Sequence, residues 1–159
     1  MAVLSHVDSN GNPTMVDVSD KQISRRSATA RSIVLLPDKV LAHLTNGDLQ
    51  IKKGSVFQTA IIAGIMAAKK TGDLIPLCHP LGLDNCNITI ALNENREVII
   101  DCTASITAKT GVEMEALVGA SIAALTVYDM CKAMSHDIVI KETKLLAKTG
   151  GKRDFKREQ

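Results

Sequence analysis

Aromatic residues are nearly missing from this chain: it holds one Tyr, two Phe and no Trp among 159 residues. That excludes a sheet of stacking rings for the bases of single-stranded RNA. An excess of charge of one sign is missing too. A net charge of +2 with 23% charged residues provides no strong basic field of the kind that collects the phosphates of a nucleic acid, so any anion bound should be small. The four cysteines, Cys78, Cys86, Cys102 and Cys131, include no CxxC pair, which speaks against a zinc site or a disulfide framework. Free thiols then fit a reducing, cytoplasmic compartment. The start, MAVLSHVDSNG, has no basic stretch leading into an apolar one, and no apolar run reaches the roughly 18 residues of a bilayer span. No membrane association is expected.

What the chain does have is aliphatic. With 45% hydrophobic residues, a chain of this length buries roughly two thirds of its unfolded surface in a single core. One domain is expected over residues 22–148. It is preceded by a polar arm, 1–21, expected to be mobile unless a ligand or partner orders it, and followed by a basic tail, 149–159.

Periodicity orders the elements. SRRSATARSIVLL, from Ser24, reads as a first strand that Pro37 stops. PDKVLAHLTNG reads as a short helix closed by Asn46-Gly47, and Ser55 is expected to cap a second helix through its side-chain oxygen. Residues 85–92 and 98–106 form a hairpin pattern, GVEMEALVGASIAALTVYDMCKAMSH the longest helix, and IVIKETKLLA a last strand. This order is that of an α+β, ferredoxin-like split β-α-β fold, with an antiparallel sheet covered by helices on one face. The other face is left for solvent or another subunit, and the apolar content favours a subunit.

Three constellations could carry chemistry. Pro76 and Pro80 stiffen a loop that presents Leu77, Cys78 and His79. Adjacent residues rarely point at one metal, so the thiol and imidazole are not read as zinc ligands. The long helix carries Glu113, Met114 and Glu115 at its start and Asp129 and Lys132 near its end. Acids at a helix N-terminus and a surface pair three residues apart are ordinary features. Positions 115 and 129 lie about 21 Å apart along a helix axis, so one small ligand cannot touch both in one subunit. If both ends act, the site is assembled between subunits or there are two sites. Finally, Lys148, Gly150, Gly151, Lys152 and Arg153 offer amides and charge to phosphate oxygens, although a solvated tail would look the same. Lys52 and Lys53 do likewise before the second helix.

MVDVS, KGSVFQTA, DLIPLCHPL, KTGVEMEAL, ALTVYDMCKA and LLAKTGGKRDF, in this order across nearly the whole chain, resemble the motifs of the cyclic pyranopterin monophosphate synthase family of molybdenum cofactor biosynthesis. The resemblance implies a ferredoxin-like subunit in a homohexamer, a trimer of dimers with sites at subunit interfaces. It implies a lyase that turns 3′,8-cyclo-7,8-dihydro-GTP into cyclic pyranopterin monophosphate and releases diphosphate. Carried over by position, it makes Asp129 catalytic, with Lys53 and Lys132 beside it, and assigns substrate binding to Leu77, Cys78, His79, Met114, Glu115 and Lys148. Arg26 and Lys152 are added as phosphate contacts. No dedicated cofactor is expected; Mg²⁺ can ride on the triphosphate. A transient contact with the radical enzyme that makes the substrate is compatible with the family's place in the pathway. The rival readings are a non-enzymatic nucleotide sensor on the same fold and a structural oligomer with solvated lysines.

Overall fold

The computed structural model describes residues 6–158; the first five residues of the expected arm, and Gln159 of the expected tail, lie outside them. Strand β1 (Ser24–Leu35) is followed by α1 (Asp38–Leu41), three short strands β2 (Leu44–Thr45), β3 (Asp48–Ile51) and β4 (Gly54–Ser55), then helices α2 (Val56–Ala68) and α3 (Thr71–Leu74). The chain continues through β5 (Asn85–Leu92), β6 (Val98–Ala108), α4 (Glu113–Cys131), β7 (Val139–Thr149) and β8 (Phe155–Lys156).

The main sheet has the order β5-β6-β1-β7-β8 and is antiparallel throughout. β1 and β5 run parallel with β6 between them, which is the split β-α-β arrangement expected. Period-two alternation sets the faces. Ala28, Ala30 and Val34 of β1 and Val98, Ile100, Cys102 and Ala104 of β6 are buried, and the helices cover that side. Two neighbouring pairs on the opposite side are polar, the Thr29 and Thr103 hydroxyls 2.8 Å apart and Arg31 gripping Asp101 through two bonds of 2.7 and 2.8 Å, while the next pair along it, Ile33 with Ile99, is apolar.

α2 and α4 pack at glycines. A Cβ on Gly64 would meet the Ile88 side chain and stand 2.7 Å from the Gly119 carbonyl oxygen, and one on Gly119 would stand 2.6 Å from the Cys102 sulfur. Small residues therefore let the two helices and the sheet close around one core. By length and hydropathy alone α4 resembles a membrane span, with 19 residues and a mean hydropathy of 1.3 over its best window. Its inward face, from Ala116 to Cys131, belongs to the helix–sheet core.

The structure corrects three expectations. PDKVLAHLTNG is helical only over Asp38–Leu41. Asn46 and Gly47, with φ of 51° and 78°, form a hairpin turn that sends the chain from β2 into β3, because two positive φ values match the twist of paired strands. Ser55 does not cap α2 with its side chain; its hydroxyl donates to the Asp48 carboxylate, which itself accepts from the α2 amides of Phe57 and Gln58 at 2.8 and 3.3 Å. The long helix ends at Cys131 with Lys132 as its C-cap, short of His136.

Candidate active site

The two ends of α4 carry two separate groups of candidate residues. At its N-terminus lies the stiff loop after α3. Gly72 of α3 passes so close to Pro80 that a Cβ would stand 3.1 Å from the proline Cα, and Cys78 N–H donates to the Ile75 carbonyl at 3.1 Å. The loop is thereby folded back on α3. A cavity of about 350 Å³ is lined by Leu77, Cys78 and His79 from the loop and by Glu113, Met114 and Glu115 from α4. All five substrate-binding positions expected in these two segments therefore face one space.

Glu115 is only 3% exposed, and burial pushes its carboxyl above the ordinary value. The Cys78 thiol is also pushed up, first by burial and then by the Glu115 carboxylate; a thiol so held is a poor nucleophile. His79 Nε2–H donates to the Val16 carbonyl at 2.7 Å, because a carbonyl can only accept. The same stretch of chain is held a second time, where Lys109 Nζ donates to the Ser19 carbonyl at 2.7 Å.

Beside this cavity, and sharing Glu113 with it, is a basic one of about 370 Å³ lined by Lys21, Arg26, Lys148 and Lys152. Arg26 is fixed by its Nε–H, which donates to the Ala108 carbonyl at 3.1 Å, so the rest of the guanidinium can face a ligand. Lys148 forms an ion pair with Glu113 at 2.8 Å. Gly150 has φ of 87°, and a Cβ there would collide with the Arg25 carbonyl oxygen; the tail passes this close to β1 only because the residue is glycine. The tail thereby brings Lys152 to Arg26.

At the other end of α4, Asp129 and Lys132 form an exposed ion pair of 2.7 Å. Lys132 holds the Asp129 carboxyl below the ordinary carboxylate range, with Lys53 adding to the effect, while Asp129 raises Lys132. Lys53 comes from the two-residue turn between β3 and β4 and lines a more apolar cavity of about 470 Å³ with His43, Met130 and Met134. Asp129, Lys132 and Lys53 are thus gathered. They are not joined to the first group, because the 19-residue helix keeps its ends apart by about 1.5 Å per residue. Among the described residues no three His, Cys, Asp or Glu side chains come together as a metal-holding group.

Residues 15–151, which include every residue of the two groups except Lys152, match the sequence profile of the MoaC family. The chain belongs to the MoaC family. It is 56% identical over 154 residues to a cyclic pyranopterin monophosphate synthase of Xanthomonas campestris pv. campestris, covering 97% of this chain and 93% of that protein. It is 51% identical over 156 residues to a molybdenum cofactor biosynthesis bifunctional protein of Synechocystis, of which it covers 45%, and 96% of this chain is included. A molybdenum cofactor biosynthesis protein 1 of Dictyostelium discoideum is 50% identical over 93% of this chain and 26% of its own length. In this MoaC chain, Glu113, read in the sequence only as one of the acids opening the long helix, lines both cavities at the α4 N-terminus, and Lys21, which the sequence did not single out, lines the basic one. Lys21 carried no local signal, since its cavity forms only when the tail folds against β1.

Proposed function

We propose that this chain is a cyclic pyranopterin monophosphate synthase, a lyase acting on 3′,8-cyclo-7,8-dihydro-GTP. The observation that carries the reading is 56% identity over nearly the full length of both chains to a synthase, on a fold that gathers the motif residues into two groups. The same relationship favours an enzyme over a nucleotide sensor.

The proposed chemistry distributes over the two groups. Opening the purine-derived ring and closing a pyran move protons at several centres. Asp129, kept ionised by Lys132, is suited to accept a proton, and Lys53 and Lys132 to donate one or to stabilise negative charge. For the cyclic phosphate, a sugar-derived hydroxyl attacks the α-phosphorus, its proton passes to a base, and the bond to the β-phosphate oxygen breaks as diphosphate leaves with the electron pair. The basic cavity lined by Arg26, Lys148 and Lys152 supports assigning these cations to stabilise that leaving group. Mg²⁺ carried by the triphosphate would supply further charge neutralisation there. Leu77, Cys78, His79, Met114 and Glu115 hold the heterocycle.

One ligand reaches both groups only if two copies bring unlike ends of α4 together, as in a homohexamer built as a trimer of dimers. Ile62 and Met66 on α2 and Leu125 on α4 stay exposed, and such apolar surface suits packing between copies. Four free thiols fit work in the reducing cytoplasm. The test is anaerobic incubation with 3′,8-cyclo-7,8-dihydro-GTP while following diphosphate and pyranopterin together. Both products are expected, and Asp129→Asn or Lys53→Ala should lower their rate by at least about a hundredfold with binding retained. Binding without products would favour a sensor instead.

A further inference from the structure

Asp48, the only buried aspartate among the described residues, lies outside the residues just assigned, yet it is among the most heavily bonded side chains. Its carboxylate accepts from its neighbour Leu49 N–H at 2.6 Å, from the Ser55 hydroxyl, and from the N–H groups of Phe57 and Gln58 at 2.8 and 3.3 Å. Phe57 and Gln58 are the second and third residues of α2. An N-cap residue normally satisfies those two amides from the position just before the helix; here the cap comes from seven residues before Ser55.

That detour closes a loop. β3 and β4 are four and two residues long, and even with the two residues of β2 paired on the other edge of β3 so small a sheet holds itself only marginally in water. Asp48 ties the base of this ribbon to the first turn of α2, which is anchored in the core by Val56 and Phe57. The tip is the turn Lys52-Lys53 between the paired residues Ile51 and Gly54, and its Lys53 charge reaches Asp129.

We propose that Asp48 is a positioning residue for the reaction: by fixing the β3–β4 ribbon on α2 it holds Lys53 in register with Asp129 and Lys132. The inference rests on the synthase reading and on the role given there to Lys53. A carboxylate suits the task because both oxygens only accept, whereas an asparagine would turn an NH₂ group toward donors.

Steady-state turnover of the full-length protein tests it. Asp48→Asn should lower kcat roughly ten- to hundredfold, the loss that a small misplacement of a reacting group produces, with KM within about twofold. Ser55→Ala removes one donor and leaves the carboxylate in place; a milder fall in kcat is expected. Asp48→Asn/Ser55→Asp should restore most of the turnover, because it puts the carboxylate in the ordinary cap position facing the same amides. A core variant such as Ile100→Val, compared at matched melting temperature, should keep the wild-type kcat. The inference is overturned by an Asp48→Asn protein with wild-type kcat, by an equal loss in the core variant, or by failure of the double variant to recover. An inactive wild-type protein would instead bring down the synthase reading and this inference together.

Discussion

Glu115 enters the core from the first turn of α4, where its carboxylate loses water and, among the described residues, gains no ion-pair partner. Burial therefore raises its pKa above 4.5, and over that interval the folded protein holds a proton that the unfolded chain has released. Its contribution is least unfavourable below pH 4.5, and stability declines as pH rises through the folded pKa. Glu115→Gln keeps the shape without the charge. Its melting temperature should equal that of the wild type at pH 4 and exceed it by about 2 °C or more at pH 7.5; coincident calorimetric curves at both pH values would contradict this. The sequence showed Glu115 as one of two acids suited to a helix dipole. It could not show that one of them points inward, because that depends on the sheet beneath α4. The ion pair of Asp129 with Lys132 was legible from their spacing, whereas the bond from His79 to Val16 joins residues 63 positions apart and leaves no local pattern.

Long elements announced themselves and short ones did not. β5 and β6 were readable as a hairpin because alternation runs through eight and eleven residues. β2 and β4 have two residues each, too few for any period, and so LTNG passed for a helix end although Asn-Gly is a turn signal. The small residues of α2 and α4 signalled close packing without naming the partner. Their crossing makes a firm prediction: Gly64→Ala gains helix propensity of about 1 kcal/mol, yet its methyl would press on the Gly119 carbonyl, backbone that cannot swing aside. A net loss of roughly 1–2 kcal/mol is expected, measurable by denaturant unfolding; a more stable variant would show that the helices separate freely.

At the scale of the whole molecule, the length of α4 limits what a single ligand can reach on one copy. On the sequence the helix length left either a site between copies or two separate sites; a ligand that needs both His79 at one end and Asp129 at the other selects the first. Which copies meet was not legible, since composition says only that apolar surface remains. The deciding measurement is to mix two separately inactive proteins, His79→Ala and Asp129→Asn, let their subunits exchange, and follow diphosphate and pyranopterin formation. Random exchange leaves about a quarter of the interface sites with both groups intact. Recovery of roughly that fraction of wild-type turnover is the predicted result. No recovery from folded, mixed oligomers would contradict a site shared between copies.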